Sequence, residues 1–494
     1  MSQEKLAGIR EHMLINGEPV FHSEGPTIPV YNPATGEVIA QQPEAGAKGV
    51  DLAVNAAHKA LNNSEWADFL PSQREEVLLR LADLVEQHAD ELAHLETTNN
   101  GKLLSLAYGL DVYSGAQWLR YMAGWATKIS GEHLNLSIPF PPQTAYHAYT
   151  RLEPVGVVAA IVPWNFPLLM AIWKVAPALA TGCTIVLKPA EETPLTAIRL
   201  AELAIEAGLP AGVFNVVTGR GETTGAALTA HPLVNKITFT GSTEVGRLIG
   251  AQAGTDIKRV SLELGGKSPV LIFSDCDIEQ AIGGAANAIF FNQGQVCTAG
   301  SRVYIEDSIY DQVVEKIAAL ADQMVLGDGF NEQTQIAPLI SARQKERVEN
   351  YIQLAQSEGR QLTKNQARPE QGFFVRPTVF ADVATDTRIA QEEVFGPVLV
   401  ANRFQTEQEA IQLANQTDYG LGASIWSNDI NRVHRIVPKI QAGTVWVNTH
   451  NMLDPSMPFG GYKKSGIGRE HGQASILSYL ETKSVCIAYQ QQAN

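Results

Sequence analysis

VGVVAAIVPWNFPLLMAIW, residues 155–173, decides how the rest of the chain is read. The stretch carries no charge and is nearly as long as the roughly 20 residues needed to cross a bilayer. Pro163, Asn165 and Pro167 interrupt it in the middle. In lipid those interruptions would strand backbone polar groups, so the stretch reads as a buried strand, a turn and a buried helix. Beyond it, short β-branched runs (TIVLKP, FNVVTG, NKITFTG, RVSLELG) alternate with amphipathic segments such as TPLTAIRLAELAIEAG. That rhythm predicts an α/β fold built on a parallel sheet with covering helices. A second alternating region, from about residue 269 to 460, starts at SPVLIF and includes RVYIED, TVFADV and TVWVN. Together they hold too many strands for one sheet, which points to a second α/β domain.

Before residue 155, Ser72 and Glu75 form a capping-box signature. Val77, Leu78, Leu81, Leu84, Val85, Leu92 and Leu95 then keep helical spacing up to Gly101. Residues 133–152 and the C-terminal KSVCIAYQQQ read instead as extended strands, expected to pair as an arm outside both cores, where exposed strands join subunits.

The chain has 494 residues, 45% hydrophobic and 18% charged, enough for at least two cores. A net charge of -15 argues against nucleic acid or an anionic membrane surface as partner, because both need clustered Lys and Arg. Four cysteines, Cys183, Cys276, Cys297 and Cys486, are too scattered for a disulfide scaffold and have no metal-ligand spacing, so no metal is expected. The start, MSQEKLAGIREH, has no apolar run of the secretory kind. A reducing, cytoplasmic setting is the expectation.

Three residues carry candidate chemistry. Reactive thiols act as thiolates and sit where substrate can reach them and local dipoles lower the pKa. Cys297, in FFNQGQVCTAG, suits that need: Gly294 and Gly300 would let the backbone approach a ligand, and Gln293 and Gln295 would add neutral polar contacts. The competing reading is a buried structural thiol, as expected of Cys183 and Cys486 in their apolar strands. Acids flank Cys276 and disfavour its thiolate. Asn165 follows a strand whose carboxyl end is where α/β sheets place ligands, and its amide could donate to a developing oxyanion together with the Cys297 N–H; alternatively it caps the next helix. Glu263 ends the apolar strand of SLELGGK, where low polarity would raise its pKa toward that of a general base; alternatively it is a salt-bridged surface acid.

PWNFPLLMAIWK, KPAEETP, FTGSTEVG, LELGGKSP, FFNQGQVCTAG, EEVFGPV and PFGGYKKSGIGRE, in this order and over nearly the full chain, closely resemble the NAD(P)-dependent aldehyde dehydrogenase family. The resemblance implies a Rossmann-like NAD-binding domain (1–132 and 153–262), a catalytic domain (263–470) and a small β oligomerisation arm (133–152 and 471–494). It implies a homo-oligomer arranged as a dimer of dimers. It also implies that Cys297 attacks an aldehyde, that Asn165 and the Cys297 N–H hold the oxyanion, and that Glu263 activates the water that hydrolyses a thioester. Lys174 and Glu470 match positions of a proton path, with structural ion pairing as the competing reading. For the cofactor, FTGSTEVG places Gly241 and Ser242 at a helix start suited to a pyrophosphate. The family pattern assigns Lys188 and Glu191 to the adenosine ribose, Glu393 and Phe395 to the nicotinamide ribose, and Trp164 to the same cofactor site. Glu191 would repel a 2'-phosphate, which favours NAD over NADP. Arg259, Arg469 and Glu481 match structural positions.

Leu169, Met170 and Trp173 share a helical face just after Asn165, and Phe166, Phe291 and Phe459 flank the motifs around them. Such walls suit an aromatic or otherwise apolar aldehyde. Asn451 and Leu453 lie in a stretch that looks like the family's substrate-entrance loop. QWLRYMAGWATKISGEHLNLSIPFP and VNTHNMLDPSMPFGGYKKSGIGREHG look most like the branch of the family that acts on phenylacetaldehyde, although a medium-chain or other arylaldehyde would suit the same signature. A cofactor-free thiol hydrolase or acyltransferase would need a histidine motif beside GQVC, and a CoA-acylating relative would not need Glu263.

Overall fold

The computed structural model describes residues 9–490 apart from residues 64, 143 and 365. Most of MSQEKLAGIREH and the last four residues of the expected arm lie outside the described residues.

Residues 155–173 fold as read, into the strand Val157–Ile161 and the start of the helix Pro167–Thr181. Every residue of that helix is buried. An interior proline costs a helix about 3 kcal/mol, and Pro177 is interior here. Burying each large apolar side chain contributes roughly 1.5–3 kcal/mol, so Leu168, Leu169, Ile172, Val175 and Leu179 outweigh that cost.

Five parallel strands form the centre of an eight-stranded sheet, in the spatial order Phe214–Val216, Thr184–Lys188, Val157–Ile161, Lys236–Thr240, Arg259–Glu263. Met13–Ile15 extends one edge antiparallel, followed by Glu18–Val20. At the other edge Gly466–Ile467 pairs antiparallel with Leu262 and Glu263, so this sheet draws a strand from far outside residues 153–262. A seven-stranded sheet follows the order Arg360–Gln361, Thr378–Ala381, Val398–Phe404, Arg302–Glu306, Pro269–Ile272, Gly422–Trp426, Thr444–Val447, parallel except at the Arg360–Gln361 edge. Strands buried on both faces read as continuous apolar runs rather than alternating ones, as PVLI does here. One apolar cluster joins Val158 and Ile185 of the first sheet to Val270, Val303 and Leu399 of the second through Ile172, Ala176 and Leu179 of the buried helix.

His133–Leu134, Thr144–Pro154 and Leu480–Gln490 make a separate three-stranded antiparallel sheet. Residues 472–478 are not extended: Gly472–Ser478 is a helix whose Ile476 joins the main core. Cys183 is buried as expected, but Cys486 is exposed, because the faces of this small sheet are largely uncovered by other elements. The long amphipathic helix also differs from its reading. It begins at Pro71, with the Leu70 N–H donating to Gln73 Oε1 (2.8 Å), so neither Ser72 nor Glu75 makes the cap. It then breaks at His88 into Pro71–Gln87 and Ala89–Asn100, and Gly101 ends the second piece at φ 87°. Among the described residues no helix is long and apolar enough to cross a membrane.

Candidate active site

Carboxyl ends of neighbouring strands set the site. Trp164 and Asn165 follow Val157–Ile161, Gly241 and Ser242 follow Lys236–Thr240, and Glu263 closes Arg259–Glu263. All five line a single cavity of about 470 Å³, well within the range of small-molecule sites. Cys297 lines it too, half-buried, from the loop after the helix Ile278–Phe290.

That loop has an unusual backbone. Asn292 (φ 47°) and Gln293 (φ 58°) both take positive φ, a costly conformation for residues with side chains, and buried hydrogen bonds compensate. The Ala337 N–H donates to Gln293 Oε1 (3.1 Å) and the Ile340 N–H to Gln295 Oε1 (3.0 Å). Asn292 Nδ2 donates to the Asn165 carbonyl (3.2 Å). The two glutamines thus pin the loop to residues 337–340 instead of contacting a ligand. Gly294 and Gly300 likewise serve packing: a Cβ at Gly294 would lie 2.1 Å from the Gly396 carbonyl oxygen, and one at Gly300 2.6 Å from Val270.

Asn165 does not cap the following helix. Its Nδ2 donates to the Gln295 carbonyl (3.0 Å), which leaves the second amide hydrogen free, and its side chain lines the cavity beside Cys297. Glu263 is 3% exposed, and neither carboxylate oxygen has a hydrogen-bond partner in the protein. Burial pushes its pKa up to about 8, against the pull of Lys174 and Arg469. The surface-salt-bridge reading is thereby excluded. Lys174, fully buried, does not line the cavity; it donates to Glu470 Oε1, and Glu470 does line it. Burial brings the Lys174 pKa down to about 7.

The resting state of the Cys297 thiol, which the sequence leaves open, is set chiefly by burial. Burial pushes the thiol up to about 12, with Glu393 and Glu263 adding to the rise and the N–H groups of Thr298 and Cys297 opposing it. That direction favours the protonated thiol in the protein alone.

The funnel residues Phe166, Leu169, Met170, Trp173, Phe291, Asn451, Leu453 and Phe459 all line the cavity. Thr298 Oγ1 donates to Asn451 Oδ1 (2.7 Å), which ties the loop carrying Leu453 to the residue after the thiol. Of the expected cofactor residues, Trp164, Gly241, Ser242, Glu393 and Phe395 line the cavity, whereas Lys188 and Glu191 do not. These two lie further along the same edge, at the end of Thr184–Lys188, with Lys188 Nζ 3.7 Å from Glu191 Oε1. Sequence reading missed Leu110, which enters the wall from the π-helix Ala107–Ser114. It also missed Arg343 and Arg347, one helical turn apart on Ala342–Ala355; Arg347 Nη2 donates to the Glu393 carbonyl (2.7 Å). Their i,i+4 spacing beside a capping serine was the available signal.

The side of the cavity opposite the funnel fits a dinucleotide. The helix Thr243–Asp256 starts there with Ser242 as cap, accepting from the Val245 N–H (3.3 Å). Its first N–H groups form an anion site. A Cβ at Gly265 would meet Glu393 Oε2 at 2.3 Å, so only glycine leaves room for that carboxylate, whose Oε1 accepts from the Gly266 N–H (3.0 Å).

A thiol set between an apolar funnel and a carboxylate-lined groove with a helix start belongs to an enzyme that carries its substrate on sulfur. Residues 21–485 match the aldehyde dehydrogenase family. The chain belongs to that family and is an oxidoreductase acting on aldehydes. It is 56% identical over 489 residues to a phenylacetaldehyde dehydrogenase from Pseudomonas fluorescens, covering 98% of this chain and 97% of that one. It is 46% identical to retinal dehydrogenase 2 of Gallus gallus, covering 96% and 91%. Among solved structures, an NAD+ complex of an aldehyde dehydrogenase from Bacillus cereus is 45% identical with a TM-score of 0.94, covering 99% of both chains. A P. syringae indole-3-acetaldehyde dehydrogenase solved with NAD+ and IAA is 40% identical with a TM-score of 0.94, covering 98% of both chains.

With Cys297 held up at about 12, alkylation of the ligand-free enzyme by iodoacetamide should accelerate by about tenfold per pH unit to beyond pH 9. The rate is read from the mass of the Cys297 peptide, because Cys486 also reacts. A plateau below pH 8 would contradict the protonated thiol.

Proposed function

We propose that this protein oxidises an apolar aldehyde, phenylacetaldehyde or a close arylaldehyde, to the carboxylic acid with NAD. One observation carries the reading: Cys297 stands at the foot of a funnel walled by Phe166, Leu169, Met170, Trp173, Phe291, Leu453 and Phe459, with no charged side chain among them. The likeness to a phenylacetaldehyde dehydrogenase supports it.

The funnel orients the aldehyde with its carbonyl carbon toward Cys297 Sγ. As the carbon–sulfur bond forms, the Sγ–H bond breaks and its proton passes to water in the cavity, negative charge grows on the carbonyl oxygen, and the free Asn165 amide hydrogen and the Cys297 N–H stabilise it. Preorganised donors of this kind are worth about 2.7–4 kcal/mol each. NAD, held by Gly241, Ser242, Glu393, Phe395 and Trp164, with Lys188 and Glu191 at its adenosine end, supplies the hydride acceptor. The thioester left on Cys297 must then meet water, and Glu263, unpaired and close to neutral in pKa, takes the proton as water attacks. Lys174 and Glu470 move that proton away. Their buried pairing serves the path because Lys174 sits near its own titration point.

The division into a cofactor unit (1–132 and 153–262), a catalytic unit (263–470) and an arm (133–152 and 471–494) belongs to the same proposal. So does a cytoplasmic homo-oligomer, a dimer of dimers joined through the arm's free edge. Arg259 and Glu481 pair at the base of that arm (2.6 Å), where exposed ion pairs contribute little.

Two outcomes check the mechanism. If Glu263 is the deacylating base, steady-state kcat rises with pH through about 8, and Glu263→Gln retains a first burst of NADH while its steady state falls by about 100-fold or more. An unaltered steady state would remove Glu263 from this role. If Glu191 holds the ribose, kcat/KM is at least about tenfold higher with NAD than with NADP, and Glu191→Gln narrows the gap. Equal turnover with NADP would reject that assignment.

A further inference from the structure

Behind the apolar wall the buried rings of Trp118, Trp173 and His471 meet; neither indole N–H has a hydrogen-bond partner in the protein, and the imidazole faces the Met457 backbone. The three rings touch. Trp118 and Trp173 stack with centroids 5.7 Å apart and planes at 24°. His471 stands edge-on to both, 4.0 Å from Trp173 at 88° and 5.3 Å from Trp118 at 68°. Phe459 lies 5.7 Å from His471 and 5.8 Å from Trp173. Trp173 and Phe459 face the cavity, while His471 is 1% exposed and backs them.

The backbone at His471 is strained. Its φ of 63° and ψ of 164° fall in a region occupied almost only by glycine, at a cost of about 1–3 kcal/mol that persists only where the surroundings over-determine it. They do so here. Phe459 and Glu470 each donate an N–H to the other's carbonyl at 2.7 Å, and the Gly472 N–H donates to the Pro455 carbonyl (2.8 Å). Between these anchors the chain must turn, and the turn drives the imidazole into the two indoles. An edge-on ring presents its positive rim to the negative face of its neighbour, which fixes ring planes more firmly than aliphatic contact. Burial lowers the imidazole pKa to about 3, so the ring stays neutral. A proton-relay role does not fit: no hydrogen bond joins His471 to Glu470, whose Oε2 is itself unpartnered.

We propose that His471 is a positioning residue for substrate choice, which sets the planes of Trp173 and Phe459 and thereby the shape of the funnel where the aldehyde's apolar group lies. The proposal rests on the funnel being the site of that group, as argued above. It predicts that large aldehydes feel the residue and small ones do not.

The test measures kcat and KM with phenylacetaldehyde and with acetaldehyde for His471→Ala and for the ring-retaining His471→Phe, alongside the near-UV circular dichroism of the indole pair. The expected result for His471→Ala is a rise of about tenfold in KM for phenylacetaldehyde with kcat within about twofold, acetaldehyde kcat/KM within about twofold, and an altered indole signal. His471→Phe should stay within about threefold of wild type for both aldehydes. Equal losses on both aldehydes, or no change in either variant, would overturn the proposal. If His471→Ala does not fold, His471→Gln carries the same expectations. Failure of the wild-type enzyme on phenylacetaldehyde would count against the substrate reading alone, and the comparison would then use the largest arylaldehyde that the wild type oxidises.

Discussion

A carboxylate with no partner inside the protein organises this structure. Glu263 stands at the buried end of its strand, and neither of its oxygens has a hydrogen-bond partner in the protein. An unsatisfied buried carboxyl is costly, and the chain keeps this one by crowding backbone around it at glycines. A Cβ on Gly460 would lie 2.8 Å from Glu263 Oε1, and one on Gly466 2.1 Å from the Leu262 carbonyl oxygen. Burial raises its pKa to about 8, where it can accept a proton from water and release it again.

The same desolvation governs the thiol. Cys297 shares the cavity with Glu263 and Glu393, and all three pKa values are raised with burial as the leading cause. A thiol that its surroundings hold toward the protonated form is a weaker nucleophile than its thiolate. Its loop is held open by Gln293 and Gln295, whose amides replace the regular hydrogen bonds that a positive-φ backbone cannot make. Removing those amides would cost the presentation of the sulfur without touching it.

Much of this was legible in the sequence. The uncharged run cut by Pro163 and Pro167 gave strand, turn and helix, because proline and period leave few alternatives. Cys297, Asn165 and Glu263 met in one cavity because each follows or ends an apolar element, and such ends converge in parallel sheets. What stayed hidden depended on distant partners. The roles of Gln293 and Gln295 required residues 337–340, and the raised thiol required the burial that the assembled cavity imposes, with Glu393 adding to it. The exposure of Cys486 follows from a sheet whose faces no other layer covers, which an apolar run does not reveal. The helix start at Pro71 was missed because Gln73, not Glu75, answers the Leu70 N–H.

The central claim is that substrate passes through a covalent bond to one sulfur, later cut by water that Glu263 activates. Acid quenching of the Glu263→Gln enzyme during turnover with NAD and phenylacetaldehyde, followed by peptide mass spectrometry, tests it directly. The account predicts one phenylacetyl group on the Cys297 peptide at near-stoichiometric yield. Acid product formed with that peptide unmodified, or an acyl group on Cys183, Cys276 or Cys486 instead, would contradict it.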